Sequence, residues 1–506
     1  MASKTAALLI HTDAGKAARM ANAAPGTSAS RVVNGNAWSS RMPAANATNG
    51  SMSGSRTTER RLVLAGLKKS LRYHDLLRLI PTLLLCCVSL CAQQSSVPTD
   101  VLDRDLPPWI SFADEARLRL EGFSGGGFRS GNDDLYLLER FRLAMALRPV
   151  SWLKIVGQTQ DARVWGENQH PPSASHQDTW DLRQAYAEIG DMEKSLVAVR
   201  VGRQEMSLGG ERLVGVSTWT NVSRSFDAAR ATLHFRNIKL DAFAASIVVL
   251  RDGQIGSADA GNNLHGLYGT ITKLPGGSTV EPYFLWRLEP HDKTEAGVPG
   301  NLDMKVSGAR WLGKIGAFEY NTSLVFERGH LATDGVNAWG GGWLVGYTFA
   351  SVRGTPRLAI EFNYATGDGD PHDGRRNTFQ LLYPTRHDLI SLSDQVGWIN
   401  IEQVRARVDL KPSPHWTITP SYSAMWLADS HDALYNPSGS VVVARVANGS
   451  AGRWVGQEVD LAAQYSLTRV TQIGVGFAHI FPGTFLERAT PGHGYSYPYL
   501  QISTKF

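Results

Sequence analysis

QVRARVDLK, residues Gln403 to Lys411, alternates strictly between apolar and polar side chains. In an extended strand, successive side chains point to opposite faces. One face would carry Val404, Ala406, Val408 and Leu410. The other would carry Gln403, Arg405, Arg407 and Asp409. A soluble sandwich turns such a polar face to bulk water, whereas a membrane barrel turns the apolar face to lipid. Recurrence and spacing of the pattern decide between these architectures.

The alternation recurs along the chain, and the connections between the alternating stretches differ in length. Comparable patterns occupy 139–147, 280–289, 339–349, 357–364 and 459–467. Eight short turns alternate with nine long polar loops near 123–134, 166–179, 207–222, 251–264, 289–302, 329–338, 367–398, 428–453 and 482–494. Short turns at one end and long loops at the other are typical of outer-membrane barrels. The pattern predicts an all-β fold: a transmembrane antiparallel β-barrel of about eighteen strands over 109–506.

Aromatic residues support this architecture. Tryptophans near strand ends, such as Trp152, Trp165 and Trp311, suit the aromatic girdles at the two membrane interfaces. The alternative is that they form the core of a soluble β protein, which would need a partner layer for each apolar face. The last residues, Tyr499 to Phe506, alternate and end on an aromatic residue. They resemble the terminal strand that bacterial barrels present to the barrel-assembly machinery, through Phe506.

The front of the chain differs in composition from the rest. Residues 1–92 hold 12 Lys+Arg against 3 Asp+Glu, so the remaining 39 against 43 leave a mildly acidic body. We interpret 1–59 as a disordered or misannotated extension, 60–92 as a signal peptide and 93–108 as a periplasmic lead-in. The apolar segment Leu79 to Leu90 is too short for a spanning helix.

Composition excludes several classes of function. All three cysteines lie in the predicted signal peptide, so the exported protein is expected to have no disulfide or thiolate chemistry. The basic charge belongs to the leader and therefore gives no reason to expect nucleic-acid binding. No later stretch is long and apolar enough for a helical membrane span.

Arginines are frequent on the polar register of the predicted strands. An arginine on the lipid face near mid-bilayer would cost about 2–4 kcal/mol, so we expect these to face the lumen. Lumenal arginines select anions, and a planar guanidinium binds carboxylates through two hydrogen bonds. The alternative is that they pair with lumenal acids and only stiffen the wall. The candidate pore-lining residues are Arg117, Arg119, Arg140, Arg142, Arg200, Arg230, Arg287, Arg310, Arg357, Arg405 and Arg407.

Several segments together resemble the alginate export family of outer-membrane barrels, from about residue 110 to the end. They are Val201 to Gln204 (VGRQ), Gly209 to Gly215 (GGERLVG), Trp219 to Arg230 (WTNVSRSFDAAR), Phe362 to Asp368 (FNYATGD), Leu382 to His387 (LYPTRH), Val455 to Leu461 (VGQEVDL) and Gly474 to Phe485 (GVGFAHIFPGTF). The resemblance implies an eighteen-stranded barrel whose arginine-rich constriction passes a polyanionic uronate polysaccharide.

The resemblance adds two residues to the candidates. Arg203 of the GRQ segment and Asp227 of SFD match the family pattern, as do arginines on matching strands such as Arg200, Arg230 and Arg405. Arg203 falls in the apolar register of Val197, Val199 and Val201. We therefore expect either a bulge that turns it inward or a position at the barrel rim.

Other candidate sites are weaker. Gly367 to Gly374 (GDGDPHDG) carries three aspartates but lacks EF-hand spacing, so we expect an outer loop with no metal. His170 and His176 lack paired ligand spacing. His234 and His479 have no serine obviously placed opposite for catalysis. We expect no catalytic residue, no metal and no cofactor.

The sequence thus predicts a passive, anion-selective porin in the bacterial outer membrane. Its expected partners are an anionic polysaccharide or oligosaccharide, such as alginate or another uronate polymer, and outer-membrane lipids. We expect a monomer. The alternatives are a general anion or nutrient porin without a polymer role, and an outer-membrane barrel enzyme. The loop 367–398 is expected to fold over the mouth or into the lumen.

Overall fold

The computed structural model describes Arg104 and residues 106–505. The predictions for 1–59 and 60–92, most of the lead-in 93–108, and Phe506 concern residues outside that part of the chain. Within it, no helix is long and apolar enough to cross a membrane.

The described chain forms a closed antiparallel barrel of 18 strands. Each strand pairs with the next, and the last pairs with the first, with Arg119 opposite Gln501. The strands are β1 Ile110–Phe123, β2 Asp134–Val150, β3 Leu153–Trp165, β4 Asp178–Ile189, β5 Val197–Gln204, β6 Phe226–Phe235, β7 Ile238–Val249, β8 Ser257–Leu274, β9 Ser278–Lys293, β10 Pro299–Ile315, β11 Phe318–Leu331, β12 Asp334–Thr348, β13 Arg357–Ala365, β14 Ile401–Ser413, β15 Trp416–Leu427, β16 Trp454–Ser466, β17 Thr471–Pro482 and β18 Tyr495–Lys505. Closure pairs every edge, as a membrane interior requires.

The alternation in QVRARVDLK matches the two faces of β14. Gln403 and Arg405 are buried inside the barrel, whereas Val404 is 42% exposed on the outside. The pairing across β13 sets Arg405 opposite Glu361 and Arg407 opposite Ala359. Exposed tryptophans, including Trp152, Trp180 and Trp311, mark the outer surface. The predicted fold class is confirmed.

Strand lengths are uneven, and this differs from the prediction. The strands β8 to β12 have 18, 16, 17, 14 and 15 residues. They run through much of 251–264, 289–302 and 329–338, which we expected to be loops. Strand pairing continues there even though polar residues interrupt the apolar pattern: Asn263 of β8 lies opposite Ser246 of β7 and Leu288 of β9.

Two long connections enter the barrel. Inner loop A, residues 205–225, joins β5 to β6, and inner loop B, residues 366–400, joins β13 to β14. Backbone hydrogen bonds join the two loops: Tyr383 N–H donates to Leu213 O and Gly215 N–H to Tyr383 O, both at 2.8 Å. The long connections at this end of the barrel also contain short elements: the strands Arg375–Arg376, Leu434–Tyr435 and Val441–Val443, and the helix Thr484–Ala489.

Candidate functional site in the lumen

Inner loop A is held against β1 and β2 by arginines. Arg117 donates to the carbonyl oxygens of Thr218 and Thr220, at 2.9 and 3.1 Å. Arg140 donates to the same two oxygens at 3.0 Å. A loop inside a barrel has no neighbouring strand to pair with its backbone carbonyl groups. These arginines donate hydrogen bonds to those carbonyls, so the loop can fold into the lumen.

The same wall carries counter-charges beneath the loop. Glu115 pairs with Arg140 and, at 3.1 Å, with Arg142. Arg142 also donates to Ser223 Oγ in inner loop A at 2.6 Å. Arg119 pairs with Glu121. All four predicted arginines of β1 and β2 therefore lie buried under inner loop A.

Inner loop B crosses the lumen between residues 381 and 388, which we call the crossing segment. At its start, Arg287 of β9 donates to Leu381 O at 3.1 Å. At its end, Asp388 pairs with Arg405 and Arg407 of β14. Because β9 and β14 stand five strands apart, the segment must traverse the interior.

An aromatic stack joins the two inner loops. The rings of Trp219 (loop A) and His387 (loop B) lie 3.7 Å apart and nearly parallel. The guanidinium of Arg119 covers the other face of Trp219, at 3.9 Å from its centroid. His387 Nδ1 also lies 2.9 Å from Asp394 Oδ2. Cation–π contact and stacking thus add to the backbone bonds between the loops.

Below the crossing segment lies a cavity of about 300 Å³, which we call the arginine cavity. Strands β10, β13 and β14 supply most of its charged lining, and inner loops A and B close it on one side. Its charged residues are Arg212, Arg310, Arg357, Arg405, Arg407, Glu361, Asp388 and Asp409. Five guanidiniums and three carboxylates line it, and the carboxylates of Glu281 and Glu319 pair with two of these arginines from outside the lining.

Each cavity arginine has an acidic partner. Arg310 Nη1 lies 3.0 Å from Glu281, and Arg357 pairs with Glu319 and with Asp409 at 2.7 Å. Arg407 reaches Asp388 at 3.0 Å and Asp409 at 3.1 Å. Burial raises the pKa of the Asp388 carboxyl, but Arg405 and Arg407 outweigh it and hold that pKa below its ordinary value. Asp388 is therefore ionised at neutral pH and fixes the crossing segment to β14.

The remaining predicted residues lie elsewhere. Arg200 pairs with Glu188 and Arg230 with Asp241 along the wall. Arg203 binds both carboxylate oxygens of Asp227, at 2.8 and 3.0 Å. That pair shares the register of the exposed Val201, at the ends of β5 and β6 nearest inner loop A. Of the two positions expected for Arg203, this is the rim. Substrate contact by any of these residues stays a prediction.

Sequence reasoning missed the arginines that the inner loops bring into the lumen. Arg212 pairs with Glu361. Arg224 donates to the carbonyls of Gly215 and Pro384 at 3.0 Å, and burial lowers its pKa to about 9. Arg386 lies on the crossing segment. Two of these arginines, Arg224 and Arg386, lie in the segments WTNVSRSFDAAR and LYPTRH. Those segments carried the family resemblance, but they offered no physical reason to place their arginines in the lumen.

The aspartates of GDGDPHDG close turns at the end of the barrel. Asp368 accepts hydrogen bonds from the backbone N–H groups of Asp370 and Asn377, at 2.9 and 2.7 Å. Asp373 accepts one from Arg375. Over residue 104 and residues 106–505, no group of three or more His, Cys, Asp or Glu side chains could hold a metal ion.

Solved structures share this fold at low sequence identity. Pseudomonas aeruginosa OpdO matches with a TM-score of 0.53 and 11% identity, over 80% of this chain and 99% of that one. Acinetobacter baumannii OccAB2 matches at 0.53 and 10%, over 78% and 98%. P. aeruginosa OpdK, determined with vanillate, matches at 0.51 and 11%, over 78% and 98%. A comparison with curated proteins gives no match.

The family model for alginate export matches residues 108–497, which is nearly all of the barrel. The family and the fold are those of a transport barrel in the bacterial outer membrane. Its short turns therefore face the periplasm and its long loops the exterior. The chain belongs to the alginate export family of outer-membrane β-barrels.

Proposed function

We propose that this barrel is a passive channel for anionic saccharides, such as alginate or other uronate polymers. The observation that carries the proposal is the arginine cavity. Its five guanidiniums and three carboxylates line one space in the periplasmic half of the lumen. Lumenal guanidiniums that can exchange their acidic partners lower the electrostatic barrier for a carboxylate relative to a cation.

The acids in the cavity keep the binding of a passing anion weak, as transport requires. Asp388 and Asp409 already hold Arg405 and Arg407, so a carboxylate binds these two guanidiniums only in competition with those acids. A passing carboxylate exchanges with these partners and leaves again. Conduction needs binding that is strong enough for entry and weak enough for release.

A second candidate is a porin for small organic anions. The observation that favours it is the size of the arginine cavity, about 300 Å³, which suits a small carboxylate better than a length of polymer. The similarly folded OpdK was determined with vanillate, itself a carboxylate. Both candidates use the same arginines and differ in the length of the anion that passes.

The test is single-channel conductance of the protein from Gln93 onward in a planar bilayer. We expect anion selectivity and current block by uronate oligomers, with the strongest block by the longer ones. Arg405→Ala and Arg407→Ala should weaken both. Neutral oligosaccharides of the same length serve as the control for size.

The outcomes separate the candidates. Block by vanillate and single uronates, but not by uronate oligomers, would favour the small-anion porin. Cation selectivity that is indifferent to Arg405 and Arg407 would contradict both. An assay for ester and glycoside hydrolysis on the detergent-solubilised barrel tests the enzymatic alternative. The monomeric state and the contact of Phe506 with the assembly machinery stay predictions.

A further inference from the structure

Most cationic side chains inside the barrel are already neutralised or committed. Of the twelve predicted arginines, eleven have a carboxylate within 4 Å, and Arg117 donates to loop carbonyls and Asn221. Arg212 and Arg224 of inner loop A are occupied by Glu361 and by carbonyl oxygens. These side chains build the lumen, and their charge is largely compensated.

Arg386 is different. Among the described arginines of inner loop A and of the crossing segment, it is the one for which the structure shows no hydrogen bond or ion pair. Its neighbours on the segment are engaged: Thr385 N–H donates to Glu211 O at 3.0 Å, and Asp388 binds β14. The side chain is half-buried, so part of it is accessible to solvent.

The surroundings of Arg386 favour the binding of an anion. Arg224 is its cationic neighbour, and the acid that acts on it electrostatically is Asp394. Asp394 does not form an ion pair with Arg386, because it lies against His387 at 2.9 Å. Partial burial also strips water from the guanidinium and strengthens its interaction with an incoming anion.

We propose that Arg386 is a specificity-determining residue of the channel and binds the carboxylate groups of anions as they pass the crossing segment. The inference rests on the proposed function and adds to it one residue that binds the anion first. A free guanidinium offers two parallel N–H donors to one carboxylate, which no neutral sugar and no cation can accept in the same way. The compensated arginines of the cavity then receive the anion beyond it.

The experiment compares wild type with Arg386→Ala, Arg386→Lys and Arg469→Ala in the same bilayer assay. Arg469 is an exposed arginine of the periplasmic turn 467–470, so its variant removes an equal charge far from the crossing segment. The readouts are the reversal potential in a salt gradient and the concentration of a uronate oligomer that blocks half the current. Open-channel conductance in the absence of oligomer reports whether the lumen is intact.

We expect Arg386→Ala to raise the half-blocking concentration about tenfold, the size of one lost charge-assisted hydrogen bond pair, and to reduce anion selectivity. Arg386→Lys should keep the ion selectivity but lose part of the block, because an ammonium lacks the planar fork. Arg469→Ala should match wild type in both. Since the structure shows no hydrogen bond or ion pair from Arg386 that holds the loop, these variants should fold and conduct.

Two results overturn the inference. The first is equal block and equal selectivity in wild type and Arg386→Ala. The second is an Arg386→Lys variant as unselective as Arg386→Ala. In either case a wild-type channel that is blocked by uronates leaves the proposed function standing. A wild-type channel that is neither anion-selective nor blocked contradicts the proposed function itself.

Discussion

The arginines on the two sides of the lumen differ in whether an inner loop covers them. On β1 and β2, the side chains of Arg119 and Arg140 are 1% and 3% exposed and bind inner loop A. On β13 and β14, those of Arg357 and Arg407 are 24% and 34% exposed and line the arginine cavity. Both sides show the same alternating pattern in the sequence. Whether a lumenal arginine is accessible to a solute therefore depends on whether an inner loop lies on top of it.

The largest expected effect comes from the covered side. Glu115→Ala would leave Arg140 and Arg142 buried without their shared counter-charge, which typically costs about 3–5 kcal/mol. We expect the free energy of unfolding, measured by urea denaturation in lipid vesicles, to fall by this amount. Inner loop A should loosen, so the channel should also become noisier and more conductive. A stability loss below about 1 kcal/mol would mean that this side is not an anchor.

The open side should respond in selectivity rather than in stability. Asp409→Asn removes one negative charge from the arginine cavity while it keeps an acceptor for Thr419 Oγ1. Because Arg357 and Arg407 are partly solvated, we expect the free energy of unfolding to change by less than about 1 kcal/mol. The reversal potential should shift toward greater anion selectivity. An unchanged reversal potential would remove the cavity from the conduction path.

The smallest effect is expected at the rim. Asp227→Asn breaks the pair with Arg203, which stands in the outward register at the barrel rim. A partly exposed pair of this kind contributes about 0–1 kcal/mol. We expect nearly unchanged stability and selectivity, measured in the same two assays. A clear loss of anion selectivity would instead return Arg203 and Asp227 to the transport path, as the family resemblance suggests.

The site was partly predictable. Arg405, Arg407, Arg357 and Arg310 were expected to face inward, and they do line one cavity. That these side chains meet in one cavity was not predictable. The connections between strands β10, β13 and β14 are of such varied length that the sequence does not show which residues lie at the same height in the barrel. Arg386 and Trp219 were not predicted at all. Nothing local distinguishes a loop arginine in solvent from one that a fold carries into a lumen.

The sequence by itself determined the barrel, because the inward or outward direction of a strand side chain has a period of two and depends only on its immediate neighbours. QVRARVDLK alone shows which face of β14 meets lipid. The tertiary structure decided where the inner loops lie in the lumen. Their positions rest on contacts between residues far apart in the chain, such as Arg140 with Thr218 and Asp388 with Arg405. Those contacts bury some arginines, line a cavity with others and leave Arg386 free.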